Sequence, residues 1–256
     1  MAYVALQTGV LQLLGSDRIP FLHGQCSNDI RNIALGTACT ALVLNAKGQI
    51  EFEIEVLRRE SDLLVFCCAG LEQALFERLK RYIVFDDIQL QIVNEYKLLH
   101  HIGKPPTHHL HWQKNRGLPS GFDVLLPIGE NVVLEPQNLE LARVQAGIPN
   151  AHTDGFVGRL PQECGFEFAV SYKKGCYIGQ EIMARLEARG QTRYVLRRVR
   201  FEAILPVGSV IVQQGKEVGQ LGACVEDGTG FVALAVLRRE LGDTPLEVGE
   251  VRLELV

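Results

Sequence analysis

The densest run of reactive and polar side chains in this sequence is SYKKGCYIGQEIMARLEARGQTR, at 171–193. Lys173 and Lys174 precede Gly175 and Cys176, so positive charge lies close to one thiol, and 180–188 has the pattern of a helix. A cysteine beside lysines and just ahead of a helix N-terminus is expected to have a lowered pKa and more thiolate at neutral pH. Cys176 is therefore the candidate nucleophile, redox thiol or metal ligand shared with a partner. The competing account is a buried apolar cysteine followed by an ordinary amphipathic helix. Two glycines, paired lysines and Gln180-Glu181 crowded into so short a segment favour function. On the helix, Glu181 and Arg185, then Arg185 and Arg189, are four apart, and Ile182, Met183 and Leu186 face inward.

A second crowded segment is FLHGQCSNDI, at 21–30. Ser27, Asn28 and Asp29 suit either the start of a helix or hydrogen bonds to a polar ligand, and the two readings weigh equally. His23 reads as a polar surface residue. The stretch HHIGKPPTHHLHWQKNRGLPSG, at 100–121, holds five histidines. HHLH lacks cysteines or carboxylates nearby, so a polar, partly exposed loop with at most short strands is expected rather than a metal site. No Ser/His/Asp triad, P-loop or HExxH pattern occurs, and the glycines at 215, 219 and 222 do not open a helix as a dinucleotide fingerprint would.

These residues must be positioned by the elements around them. The chain has 256 residues, 47% of them hydrophobic, with a formal net charge of -4, which excludes disordered and collagen-like classes. Its longest apolar stretches, 63–71 and 231–237, fall short of the roughly 20 residues of a membrane span, and no secretory signal is read at the N-terminus, so the cytoplasm is the expected compartment. Seven cysteines with no CxxC pair indicate reduced thiols and no zinc or cluster held wholly by this chain. The charge also argues against a dedicated nucleic-acid binder, and Arg193, Arg197, Arg198 and Arg200 read as a solvated strand edge. Strand patterns at 9–14, 40–44, 49–56 and 62–68, with a helix over 71–82 and another over 139–146, point to an α+β region spanning 1–190. Short runs at 194–201, 209–213, 217–225, 231–237 and 251–256 point to a small β-barrel or sandwich over 191–256.

Taken together, KKGCYIGQEIMAR, FLHGQCSND, LNAKGQI at 44–50, RVQAGIP at 143–149 and LPQE at 160–163 resemble the YgfZ group of folate-binding proteins, relatives of the glycine cleavage T-protein, over nearly the whole chain. The resemblance implies a T-protein-like ring of two ferredoxin-like α+β portions with a C-terminal β-barrel, whose channel holds tetrahydrofolate. It implies a role in assembly or repair of iron-sulfur enzymes, including those that methylthiolate tRNA. The partners it implies are folate, iron-sulfur assembly proteins and client iron-sulfur enzymes; from the apolar stretches, charge and cysteine spacing above, no membrane and no stably bound metal are expected and direct tRNA binding is disfavoured. By direct match Cys176 is the residue on which activity depends, either as a transient cluster ligand or as a redox nucleophile. Lys174, Gly175, Tyr177, Gly179, Gln180, Glu181 and Arg185 are its supporting residues, and Asn28, Asp29 and Arg143 match positions that line the folate channel. A tetrahydrofolate-dependent aminomethyltransferase is the alternative. Against it, Leu75 in CAGLEQAL (68–75) stands where the T-protein has its catalytic aspartate, and RGLPSGFD (116–123) lacks the acid of the T-protein's GYTGE segment. Leucine cannot protonate or hydrogen-bond a substrate.

Overall fold

In the computed structural model, residues 3–118, 121–135 and 138–256 are described; Pro119 and Ser120 of the 116–123 loop and the side chain of Arg189 lie outside this set. The chain begins with β1 (Tyr3–Ala5), β2 (Thr8–Leu14), α1 (Arg18–Gln25), β3 (Ala38–Leu44), β4 (Ile50–Arg58), β5 (Leu63–Cys68), α2 (Glu72–Lys80) and β6 (Gln89–Ile92). The five strands form an antiparallel sheet in the order β3-β4-β5-β2-β6. Strand alternation divides β4 cleanly. Ile54 and Val56 face Leu22, Leu75 and Leu79 of the two helices, while Leu57 joins Phe66, Leu98 and Trp112 on the opposite side.

That opposite side is covered by a second antiparallel sheet, built from β1 with β7 (Tyr96–Ile102), β8 (Leu110–Gln113) and β9 (Gly121–Pro127) in the order β1-β7-β9-β8. Within the histidine-rich stretch the end of β7 and the short β8 flank a loop at 103–109, much as expected, but its histidines are not all at the surface. His100 and His101 are buried on β7, and His100 Nδ1 lies 2.8 Å from Asp123 Oδ1 on β9. The carboxylate that makes a buried histidine tolerable comes from 23 positions away, out of reach of a local reading. His109 likewise meets Glu130 at 3.3 Å.

α3 (Leu139–Gln145), two short 3-10 turns (Pro161–Glu163 and Glu167–Ala169) and α4 (Gln180–Arg189) lead to the barrel. Its strands are β10 (Tyr194–Phe201), β11 (Val210–Gln213), β12 (Lys216–Leu221), β13 (Val225–Glu226), β14 (Phe231–Arg238), β15 (Leu246–Val248) and β16 (Val251–Leu255). Six of them close in the order β10-β16-β15-β11-β12-β14, with β14 returning to β10 along its whole length from Tyr194↔Arg238 to Phe201↔Phe231. The run at 217–225 is two strands, not one, and β15 is an addition to the expected set. β14 serves two cores through its alternation. Ala233, Ala235 and Leu237 fill the barrel, whereas Val232, Leu234 and Val236 join Leu42, Leu44, Phe156, Phe166 and Met183 of the α+β region. Among the described residues no helix is long and apolar enough to cross a membrane.

Candidate functional site

Two glycine-containing segments 131 residues apart seat the start of α4. Gly179, immediately before the helix, has φ 87°, and a Cβ there would stand 2.7 Å from the Asn45 carbonyl oxygen. Gly48, φ 73°, closes the 45–48 turn, where a Cβ would stand 2.8 Å from Met183 Cε and 2.9 Å from Ile182 Cβ. Only glycine combines a left-handed backbone with so close an approach. Asn45 shapes the turn by accepting from the backbone N–H of Lys47 and Gln49 through Oδ1, at 2.9 and 3.1 Å.

The KKGC segment leading into α4 is held from its other end. Ser171 N donates to the Ser27 carbonyl at 2.9 Å, and Ser27 Oγ donates to the Ala169 carbonyl at 2.6 Å while accepting from Leu42 N. Lys174 Nζ donates to the carbonyls of His23, Cys26 (2.6 Å) and Asn28 (3.0 Å), and its ammonium lies 4.7 Å from the Tyr177 ring centroid. An α-helix leaves its last carbonyls without intrahelical donors, and a cation there is favoured by the helix dipole. Lys174 meets that need for α1. The expectation that both lysines attend the thiol is corrected accordingly: Lys174 is committed to α1, and Lys173 is the exposed one.

Gly175 and Cys176 are exposed, and Cys176 is the sole exposed cysteine of the seven. Burial pushes the Cys26 thiol up to about 11 and those of Cys39 and Cys67 to about 12, and raises Cys164 as well. Those thiols stay protonated at neutral pH and are inert. Tyr177 is buried; its backbone N–H donates to Gln180 Oε1 at 3.3 Å, and its carbonyl accepts from Gln180 N at 3.2 Å. Glu181 and Arg185 form an exposed pair at 3.8 Å. Ser171, Tyr172, Lys174, Tyr177, Gln180 and Met183 line a cleft of about 220 Å³ alongside this segment.

Asn28 and Asp29 shape the turn after α1 and cap no helix, because the helix in this region precedes them. Asn28 accepts from Asp29 N at 2.9 Å and donates to the Thr40 carbonyl at 2.7 Å; Asp29 accepts from Arg31 N and Asn32 Nδ2 and stands 3.4 Å from His23 Nδ1. His23 is buried rather than at the surface, and burial, with Lys174 and Arg31 nearby, pushes its imidazole pKa down.

A cavity of about 460 Å³ opens between the two sheets and α3. Thr40, Arg143, Glu53 and Glu55 line it, whereas Asn28 and Asp29 stand outside the lining, behind Thr40. Arg143 is buried, grips both oxygens of the fully buried Asp154 at 2.8 and 3.0 Å, and donates to Glu140 at 2.8 Å. Its guanidinium therefore holds α3 to the loop that follows. Leu75 is fully buried between α2 and the sheet and lies outside this lining.

Glu53 and Glu55 are wall residues that sequence reasoning did not single out. Their signal was the QIEFEIEV alternation, which reads as a face turned to solvent but here faces a second sheet. Glu55 accepts from Trp112 Nε1 at 2.6 Å and pairs with Lys114 at 2.7 Å. Glu53 accepts from Ala151 N at 2.8 Å, and burial pushes its carboxyl pKa up. On the barrel, Arg198 donates to the Gln145 carbonyl and Arg200 pairs with Asp227 at 2.6 Å, so these two arginines are tied within the fold.

Comparison with known proteins accords with this architecture. Residues 195–256 match the CAF17 C-terminal beta-barrel domain family. The chain is 23% identical over 279 residues to the tRNA-modifying protein YgfZ of Colwellia psychrerythraea, an alignment covering 93% of this chain and 85% of that one. It is 36% identical over 126 residues to the mitochondrial iron-sulfur cluster assembly factor IBA57 of Mus musculus, covering 47% of this chain and 35% of the relative. The glycine cleavage system aminomethyltransferase T of Bartonella henselae superposes over 100% of this chain and 84% of its own, with a TM-score of 0.77 and 15% identity, a likeness of fold.

Proposed function

The chain belongs to the YgfZ/T-protein-like family, and from that premise we propose that it is a folate-binding accessory protein acting in the cytoplasm in assembly or repair of iron-sulfur enzymes, and through them in tRNA methylthiolation, with Cys176 as its working thiol. The observation that carries this reading is the placement of Cys176. It is the exposed cysteine among seven, on a segment pinned by Lys174 at one side and by the Gly48–Gly179 approach at the other. The relatives' names, an iron-sulfur assembly factor and a tRNA-modifying protein, support the process in which the thiol would act.

Each residue then has a stated task. Lys174 holds the backbone of its segment against the end of α1, Tyr177 anchors it inward, and Gln180 closes the first turn of α4. Cys176 presents its sulfur to a second molecule. Among the described residues no three His, Cys, Asp or Glu side chains converge to hold a metal, so a cluster engaged by Cys176 takes its other ligands from a partner, as cargo.

The cavity fits a folate on size and wall chemistry. Its 460 Å³ falls within the roughly 300–1,000 Å³ of small-molecule sites. Phe66, Leu98 and Phe168 offer apolar surface for a planar ring, while Glu53, Lys114 and Arg116 offer polar groups at its edges. Bound there, tetrahydrofolate would supply a one-carbon carrier. Asn28 acts on the wall only through the Thr40 carbonyl, whereas Arg143 lines the cavity itself, with its guanidinium bound to Asp154 and Glu140. Aminomethyl transfer has less support, since position 75 carries a leucine sealed in the core.

The test is complementation. In a strain lacking this protein, the wild-type chain restores iron-sulfur enzyme activity and Cys176→Ala does not, at equal level and with an unchanged melting temperature. Equal restoration by the alanine variant overturns the proposal.

A further inference from the structure

Among the described residues, Glu53 is the carboxylate of the cavity wall that the protein leaves without an ion pair, Lys114 and Arg116 acting on it only from a distance. Three acids line the cavity there, and two are neutralised: Glu55 by Lys114 at 2.7 Å, and Glu140 by Arg143 at 2.7 Å. Arg116, the remaining nearby cation, is held by Asp123 through two hydrogen bonds. Glu53 accepts one hydrogen bond, from Ala151 N to Oε2, and its Oε1 has no partner among the described residues. The ring beside it, His152, meets the Glu53 backbone N–H through Nε2 at 3.4 Å, and burial pushes this imidazole's pKa down, so it brings no positive charge. Glu53 is half-buried, and a carboxylate partly withdrawn from water with no ion pair of its own carries a cost that glutamine or methionine on this strand would avoid. An aromatic face, Phe168, stands half out of the protein at the same cavity.

We infer that Glu53 is the specificity-determining acid of the cavity, reading the edge of a planar heterocycle that presents adjacent N–H donors, as the 2-amino-4-oxopyrimidine half of a pterin does. This rests on the folate reading above and adds to it a residue, on β4, outside the positions that the family resemblance assigns. A carboxylate accepts from both donors at once and is matched by charge-assisted bonds to them. A site built to pair with an N–H rejects an analogue that lacks it, because its own polar group is then left unpaired.

The experiment compares wild type with Glu53→Gln, which keeps an acceptor for Ala151 N, by calorimetric titration of the full chain with three probes: pterin, lumazine and 5-formyltetrahydrofolate. Lumazine carries oxygen in place of the pterin 2-amino group. The wild type is expected to prefer pterin to lumazine by about tenfold or more, and Glu53→Gln to reduce that preference to within about threefold. A preference that persists in Glu53→Gln, or a wild type that binds 5-formyltetrahydrofolate yet treats pterin and lumazine alike, overturns the role of Glu53 and leaves folate binding standing. A wild type that binds none of the three overturns both.

Discussion

Lys174 and Cys176 sit two residues apart and have opposite fates. The lysine is drawn into three backbone carbonyls at the end of α1 and in the turn after it, and the cysteine is left in solvent. A hydrogen bond involving a charged group contributes about 1.5–3 kcal/mol, so Lys174→Met should lower stability by about 2–3 kcal/mol in urea melts, whereas the exposed Lys173→Met should change it by less than about 0.5 kcal/mol. Equal effects of the two would contradict the carbonyl anchor. Glu53 adds a pH signature. Burial raises its folded pKa above the unfolded value, with Glu55 adding to the rise and Lys114, Arg116 and the Ala151 N–H opposing it. The folded state therefore holds this proton more tightly, and the group's contribution to stability, full below the ordinary carboxylate pKa, is lost as pH rises through the folded value. Glu53→Gln should accordingly stabilise the protein relative to wild type at neutral pH, by an amount that shrinks as pH falls toward 4.5. A gain independent of pH would contradict a half-buried carboxylate that has no ion pair of its own.

At the scale of elements, the packing of the 45–48 turn on α4 positions the reactive segment. Gly179→Ala combines left-handed strain of about 1–2 kcal/mol with overlap on the Asn45 carbonyl, and should cost about 2–4 kcal/mol. Gly70→Ala, also left-handed at φ 85° but with open space around it, should cost only the strain, about 1 kcal/mol. Chemical denaturation distinguishes them. Both glycine motifs are legible in the sequence as LNAKGQI and KGCYIGQE; their mutual contact is not, because it joins positions 131 apart. The same limit explains β7 and β4. His100 looks polar until Asp123 arrives from β9, and the alternating glutamates of β4 look solvated until the second sheet covers them. α1 escaped a local reading because RIPFLHGQ carries Pro20 and Gly24, both weak helix formers, and its stability comes from burying Phe21 and Leu22 and from Lys174 at its end.

Across the whole molecule, β14 and Asp154 join the barrel to the α+β region. Asp154 takes the Arg143 guanidinium from α3, and its Oδ1 also accepts from Ala223 N beside the barrel, at 3.3 Å. Asp154→Ala would leave Arg143 buried without its main counter-charge and should cost about 3–5 kcal/mol, seen as a lowered melting temperature of the entire chain. A loss below about 1 kcal/mol would show that this pair does not join the parts. The assembly thus keeps six thiols buried or half-buried and exposes one. This one exposed thiol should suffice for function, which is read by quantifying methylthiolated tRNA by mass spectrometry in a strain lacking the protein and supplied with variants. A chain with Cys39, Cys68 and Cys224 all changed to alanine should restore the modification to the wild-type level, and Cys176→Ala should leave it at the level of the empty strain. Restoration by Cys176→Ala, or its loss in the triple variant at unchanged stability, would show that the working thiol is not Cys176 alone.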